Sequence, residues 1–203
     1  MTATNTAQVT SIYERRILQM LGNHLETVET TIKNNTDTIE AMADACVAAF
    51  ENGNKLMFCG NGGSAADAQH FSAEFVIRFV DDRPSLPAIA LNTDTSAVTA
   101  CGNDYGYDFV FSRQIEGLGN KGDVLFAIST SGTSPNVVKA IEAAKKKGIT
   151  VIGLTGKNGG IVRDTSDIAF HVEDKTTMHI QETHTTALHM MCSLVESKMG
   201  YAK

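Results

Sequence analysis

The chain has 203 residues, of which 42% are apolar and 20% charged, the length and composition of one soluble globular domain. Its formal net charge of −6 argues against nucleic-acid binding, because neutralising phosphates requires clustered Lys and Arg. It has no apolar run of the roughly 18 residues that span a membrane, no secretory signal and no C-x-x-C pair among its four cysteines, so we expect a cytoplasmic protein with reduced thiols.

Two helices are predicted before the first strand. Apolar residues recur every three or four positions from about Val9 to Lys33, which predicts a long amphipathic helix. A second helix is expected from about Thr36 to Phe50. The first helix carries more apolar surface than one sheet face readily covers. We therefore expect residues 1–35 to form a helical arm that packs between subunits, with packing inside one subunit as the alternative, and residues 36–203 to form the main domain.

The remainder of the chain alternates short apolar runs with helical patterns and ends in a long helix from about Met178 to Lys198. This alternation predicts an α/β fold, a doubly wound parallel sheet with helices on both faces. In such sheets ligands bind beyond the carboxyl ends of the strands. The predicted strands are residues 55–59, 88–91, 123–128, 150–154 and 167–171.

The first predicted strand ends in Gly60-Asn-Gly-Gly-Ser64, and a helix follows at once. Unpaired N–H groups and the positive end of the dipole make a helix N-terminus suitable for an anion, most often a phosphate. We expect Ser64 to be the N-cap, with Asp67 completing a near capping box. An ordinary glycine turn is the alternative explanation for these glycines.

A second anion-binding loop is predicted at Ser129-Thr-Ser-Gly-Thr-Ser134, which carries five hydroxyl groups in six residues. Ser134 is expected as the N-cap of the next helix, with Pro135 at its first position. A plain turn would need about one capping hydroxyl. Between the two loops, Asn103 and Asp104 interrupt a helical pattern and are expected to form a turn.

Two helices carry residues suited to chemistry. His70 and Glu74 lie one turn apart, so they can serve one metal ion or one substrate, although a surface salt bridge is the commoner explanation of such a pair. On the last helix His184 falls in the apolar stripe and is expected to be buried. His189 projects to the opposite side, on the flank of Gln181, and so towards a site shared between subunits.

Several enzyme classes are excluded by missing motifs. The sequence has no G-x-G-x-x-G, no G-x-x-x-x-G-K-[ST] and no G-x-S-x-G. Two phosphate-suited loops, one carboxylate and one outward histidine indicate proton transfer on a small phosphorylated molecule.

Three motifs together resemble the sugar isomerase (SIS) domain: Cys-Gly-Asn-Gly-Gly-Ser at 59–64, Gly-Asn-Asp at 102–104 and Ser-Thr-Ser-Gly-Thr-Ser at 129–134. His-Phe-Ser-Ala-Glu at 70–74 and Gln-Glu-Thr-His-Thr-Thr-Ala-Leu-His at 181–189 are similar to the phosphoheptose isomerase branch of that family. The likeness extends over nearly the whole chain from the second helix onward.

The resemblance implies a homotetramer that converts sedoheptulose 7-phosphate into D-glycero-D-manno-heptose 7-phosphate for bacterial lipopolysaccharide or capsule. It implies an enediol mechanism in which Glu74 is the base and His189 moves protons at the sugar oxygens. It also implies one zinc ion per subunit, held by His70, Glu74, Gln181 and His189. The implied substrate-binding residues are Asn61, Gly62, Gly63, His70, Glu74, Asn103, Asp104, Ser129, Thr130, Ser131, Ser134 and Gln181.

Two alternatives stay open. Residues 83–94 are similar to the DnaA initiator-associating protein, a non-catalytic SIS relative that binds the replication initiator; Glu74 favours the enzyme, because that relative departs from the glutamate. The other alternative is an SIS enzyme or regulator that acts on a different phosphosugar, such as a hexose or pentose phosphate, since pocket size cannot be read from the sequence.

Overall fold

The computed structural model describes residues 11–202, which contain a five-stranded sheet and eight α-helices. Within this range no helix combines the length and the apolar character needed to cross a membrane. The strands are β1 (Leu56–Gly60), β2 (Ala88–Ala90), β3 (Val124–Ser129), β4 (Thr150–Gly156) and β5 (Ile168–Val172). The helices are α1 (Ile12–Asn34), α2 (Thr36–Glu51), α3 (Gly63–Val76), α4 (Thr95–Asp104), α5 (Ser112–Leu118), α6 (Pro135–Lys146), α7 (Gly160–Thr165) and α8 (Thr177–Lys198).

All strand pairs are parallel and the strand order is β2-β1-β3-β4-β5, so the predicted doubly wound sheet is confirmed. Residues along each strand alternate between two apolar layers. Phe58 and Phe126 belong to the layer under α2, α3 and α8, whereas Met57 and Leu125 belong to the layer under α5 and α6. The chain order reverses next to β1, and this reversal opens a crevice beyond the carboxyl ends of β1 and β3.

Several local predictions were wrong. Ser64 is not the N-cap of α3: Gly62 is, with φ 57°, and Ser64 lies buried in the first turn. Because Gly62 has no side chain, the predicted capping box with Asp67 does not form. Asn103 and Asp104 do not form a turn between helices but end α4. A short helix, α7, follows β4 and has no counterpart among the predicted elements.

Helix α1 lies on the surface of the domain. Thr31 is its one buried residue, and the apolar face predicted from its sequence is open. Two polar contacts join α1 to the domain: Thr27 Oγ1 donates to Asp174 Oδ2 at 2.6 Å, and His24 Nδ1 lies 3.1 Å from Glu182 Oε2. Near the end of the helix, Ile32 packs against the main apolar layer. The predicted start of this helix at Val9 lies outside the described residues.

Helix α8 crosses the first apolar layer of the sheet with a fully buried stripe that includes His184, as predicted. His184 Nε2 lies 3.0 Å from the carbonyl oxygen of Thr155, so this nitrogen carries the proton and donates it to that carbonyl. Burial lowers the pKa of His184 to about 4, although the bond to Thr155 opposes the shift. The four cysteines are buried free thiols, as expected.

A buried ion pair joins α8 to the segment that follows α3. Arg83 Nε donates to Glu196 Oε1 at 2.8 Å, and both side chains are at most 3% exposed. Arg83 also donates to the carbonyl oxygens of Glu74 and Phe75 at the end of α3. Burial alone would raise the pKa of Glu196, but Arg83 and the backbone N–H groups of residues 79–81 outweigh it and hold this pKa below its usual value.

We predict that His184 makes the protein sensitive to mild acid. The unfolded chain binds a proton at His184 near pH 6.5, but the folded protein does so only near pH 4, so stability is lost as the pH falls through this window. Urea unfolding of wild type and His184→Gln at pH 7 and pH 4.5 measures the effect. Over this interval wild type should lose about 2 kcal/mol more than the variant. Equal losses would contradict the account.

We also predict that Arg83→Met is strongly destabilising. It leaves the Glu196 carboxylate buried without its partner, which costs about 3–5 kcal/mol in free energy of unfolding. Arg113→Met is the matched control, since Arg113 pairs with Glu116 at the surface and both side chains are about half exposed. The control should change stability by about 1 kcal/mol or less in urea titrations. Similar losses of stability in both variants would show that the buried pair stabilises the protein no more than the surface pair does.

Candidate functional site

The candidate site lies at the carboxyl edge of β1, β3 and β4. Gly60 at the end of β1 is in register with Ile128 of β3, and Ser129 is in register with Thr155 of β4. Because the strands are parallel, the loops that follow them leave the sheet side by side. The two segments predicted to bind anions, residues 60–64 and 129–134, are therefore neighbours.

The loop at 129–134 presents a connected set of hydroxyl groups in front of α6. Ser129 Oγ lies 2.9 Å from Ser134 Oγ and 3.3 Å from Ser131 Oγ. Ser134 is the N-cap residue and Pro135 begins the helix, as predicted, although the Ser134 hydroxyl bonds to Ser129 and not to a helix N–H. Thr130 is half-buried beside this set. Hydroxyl donors at a helix N-terminus suit a phosphate group.

The turn between β4 and α7 contacts the hydroxyl-rich loop at residues 129–134. Gly132 has φ 70°, and a Cβ there would collide with the carbonyl oxygen of Gly159. Thr155 Oγ1 donates to that same carbonyl at 2.7 Å, and Val162 N donates to Gly132 O at 3.0 Å. The unpredicted helix α7 thus fixes the backbone of the hydroxyl-rich loop.

His70, Glu74 and His189 come together between α3 and α8. His70 Nε2 lies 2.9 Å from Glu74 Oε1, and one ligand atom from each of the three residues lies within 4.8 Å of the others. The imidazole centroids of His70 and His189 are 5.0 Å apart. Burial, with the nearby His70, lowers the pKa of His189, although Glu74 acts in the opposite direction.

His189 lies off the buried stripe of α8, as predicted, and packs against α3 of its own chain. Its ring lies against Phe71 of α3 at 5.0 Å and stacks on Phe79, which follows α3, at 5.5 Å. The helical pattern correctly placed His189 off the buried stripe of α8, but it could not show that α3 lies along that flank. The three residues therefore meet within one chain.

Two further polar side chains lie near the beginning of α3. Gln181 comes from α8, and Asp67 is a carboxylate that was not predicted to belong to the site. A Cβ on Gly63 would collide with the Gln181 carboxamide, so this glycine leaves room for the Gln181 side chain. Asp67 is buried, and Thr185 Oγ1 donates to its Oδ1 at 3.3 Å. Burial raises the pKa of Asp67. The helical spacing of positions 67, 70 and 74 is the signal that points to Asp67, but a capping box at the start of α3 explains the same residue.

The remaining predicted residues lie between β1 and α3 and at the end of α4. Asn61 exchanges two side-chain hydrogen bonds of 2.8 Å with Asn136, a buried residue that the sequence analysis did not single out. Asn103 Nδ2 donates to Asp104 Oδ1 at 2.8 Å, and both side chains are exposed at the end of α4. Gly62 and Gly63 are exposed where α3 begins.

The donor set of His70, Glu74 and His189 fits a zinc ion. Two imidazoles and one carboxylate are a common catalytic zinc environment, and such sites keep one position open for water or substrate. The same three residues can also transfer protons, since a carboxylate and an imidazole are the usual general bases and acids.

The chain is similar to a known domain family and to known proteins. Residues 19–156 match the family model described as SIS domain. A phosphoheptose isomerase from Burkholderia pseudomallei is 55% identical over 159 residues, which cover 78% of this chain and 81% of that protein.

Two solved structures are also similar. A phosphoheptose isomerase from Neisseria gonorrhoeae has 41% identity and a TM-score of 0.84, covering 91% of this chain and 99% of that one. One from Francisella tularensis has 35% identity and a TM-score of 0.88, covering 92% and 100%. The chain therefore belongs to the SIS domain family, in its phosphoheptose isomerase branch.

Proposed function

We propose that this protein interconverts sedoheptulose 7-phosphate and D-glycero-D-manno-heptose 7-phosphate, for the heptose of bacterial lipopolysaccharide or capsule. The observation that carries the proposal is the Glu74 carboxylate, held 2.9 Å from His70 and grouped with His189, in a chain that also has a hydroxyl-rich loop suited to phosphate. The names of the close relatives support the choice of substrate.

Glu74 and His189 each have a separate role in the proton transfers. The Glu74 carboxylate removes a proton from C1 of the ketose, and the electron pair of that C–H bond forms the C1–C2 double bond of an enediol. His189 takes the proton of the C1 hydroxyl and supplies one to the oxygen on C2. Protonated Glu74 then returns its proton to C2, which gives the aldose. Burial lowers the pKa of His189, which favours the neutral imidazole that can accept as well as donate a proton.

The substrate would be held by the two loops at the edge of the sheet. Backbone N–H groups and hydroxyls at the start of α6 would bind the phosphate. Side-chain amides and carboxylates nearer α3 and α4 would bind the sugar hydroxyls. The residues of this proposed set are Asn61, Gly62, Gly63, His70, Glu74, Asn103, Asp104, Ser129, Thr130, Ser131, Ser134 and Gln181.

We propose that His70, Glu74, Gln181 and His189 also hold one zinc ion. When bound, zinc supplies a Lewis acid that polarises a carbonyl and stabilises an enediolate. Glu74 is a weaker base when its electrons are shared with a cation, so its two roles compete. Assays with and without added zinc therefore belong to every test of the mechanism.

The partner-binding alternative has less support. Arg83, within the segment that resembles the initiator-associating relative, is buried against Glu196 and so has an intramolecular role.

Location in the cytoplasm stays a prediction.

We predict that Glu74→Gln abolishes turnover and keeps substrate binding, because it preserves the size of the side chain and removes the base. Aldoheptose formation from sedoheptulose 7-phosphate should fall about 10²- to 10⁴-fold in kcat, measured with and without zinc. The control is Glu142→Gln on the surface of α6, which should behave as wild type.

Hexose and pentose phosphates in parallel reactions test the choice of substrate. Near-wild-type turnover by Glu74→Gln would refute the assignment of the base. An inactive wild-type protein would favour partner binding, and a pull-down with the replication initiator would then follow.

We also propose a homotetramer in which α1 packs between subunits and sites lie at subunit interfaces. Ile17, Leu18, Leu21 and Leu25 are 50–64% exposed on α1, an apolar surface that a neighbouring subunit would cover. Wild type should show the mass of four chains in light scattering. Leu21→Glu should dissociate the assembly, whereas Gln19→Glu on the same helix should not. A monomeric wild-type protein with full activity would contradict this proposal.

A further inference from the structure

Asn61 and Asn136 connect the two loops of the candidate site through a reciprocal pair of amide hydrogen bonds. Asn61 Nδ2 donates to Asn136 Oδ1 and Asn136 Nδ2 donates to Asn61 Oδ1, both at 2.8 Å. Asn61 follows β1, whereas Asn136 lies in the first turn of α6, directly after the hydroxyl-rich loop. Asn136 is 2% exposed, so this bridge is shielded from water on one side.

The orientation of both amides is fixed by a backbone group. Val137 N donates to Asn136 Oδ1 at 3.0 Å, and a backbone N–H can only donate. Asn136 must therefore present Oδ1 to Val137 and to Nδ2 of Asn61. Rotating the Asn61 amide by 180° would place two NH₂ groups and two oxygens against one another.

Tyr107 adds a third contact to this bridge. Its hydroxyl donates to Asn61 Oδ1 at 3.1 Å from the 3₁₀ turn of residues 107–109, three positions after Asp104. The oxygen of Asn61 then accepts two hydrogen bonds, one from each partner. Neither partner uses the second N–H of Asn61 Nδ2, so Asn61 can offer the crevice a hydrogen-bond donor.

We propose that Tyr107 is a positioning residue for the phosphosugar, which acts by holding Asn61 as a donor towards a substrate oxygen. This inference rests on the proposed function, in which Asn61 binds the substrate. Tyr107 also joins the segment of Asn103 and Asp104 to the loop at 60–63. Without the hydroxyl, one lone pair of Asn61 Oδ1 becomes free and the amide is held by Asn136 alone.

The test compares two neighbouring tyrosines. Tyr105 and Tyr107 are both 58% exposed, but Tyr105 packs its ring against the Arg113 guanidinium, 4.7 Å from the ring centroid. Tyr107→Phe should raise KM for sedoheptulose 7-phosphate about twofold to tenfold, the effect of one lost neutral hydrogen bond, with kcat within about twofold of wild type. Tyr105→Phe should leave both constants unchanged. Because Tyr107 is exposed, its variant should unfold at the wild-type temperature.

A double-mutant cycle tells positioning apart from a direct or general effect. In an Asn61→Ala background Tyr107→Phe should have no further effect on KM, because the residue through which it acts is gone. An unchanged KM for Tyr107→Phe, or equal effects in both backgrounds, would overturn the inference while leaving the isomerase assignment intact. A wild-type protein that isomerises no phosphosugar would overturn the proposed function, and the inference with it.

Discussion

The buried pair of Arg83 and Glu196 is the contact on which the candidate chemistry most depends. Helix α3 carries His70 and Glu74, whereas α8 carries Gln181 and His189, and 100 residues of chain separate the two helices. Arg83 bonds the last carbonyl groups of α3 and the carboxylate of Glu196 on α8 at the same time. A guanidinium can do this because its donors lie in a rigid plane and stay charged at any physiological pH.

A second constraint comes from the parallel sheet. Adjacent parallel strands end at the same edge of the sheet. Strand pairing therefore places the loops after β1, β3 and β4 side by side. The hydroxyl-rich loop packs on the backbone of Gly159 and accepts a hydrogen bond from Val162 N. Asn136, directly after the loop, bonds to Asn61. Phosphate-suited groups and proton-transferring groups are thus attached to one scaffold but to different elements, which allows substrate binding and catalysis to be altered separately.

The sequence predicted the features that depend on local patterns. The apolar runs gave the five strands, and the periodicity of α8 correctly separated buried His184 from His189. Features that depend on packing between elements were missed. Gly62 and not Ser64 is the N-cap of α3, because the chain turns at Gly62 with a positive φ. The preference of hydroxyl residues for N-cap positions does not reveal such a turn.

The same limit applies within the site. Helical periodicity shows which flank of α8 carries His189, but not that α3 occupies that flank. Asp67 was assigned to a capping box and Asn136 was not singled out, because each has an ordinary local explanation near the start of a helix. Their partners, Thr185 and Asn61, lie 118 and 75 positions away.

The central claim is that one carboxylate of this chain moves a proton between two neighbouring carbons of a phosphosugar. The most direct test is proton NMR of sedoheptulose 7-phosphate in deuterated water with wild-type protein, with and without zinc. Because the Glu74 carboxyl exchanges its proton with solvent, the account predicts an aldoheptose signal with deuterium at C2. Product formed by a folded protein without any solvent deuterium at C2 would contradict proton exchange between Glu74 and solvent, and the absence of product under every metal condition would refute the isomerase assignment.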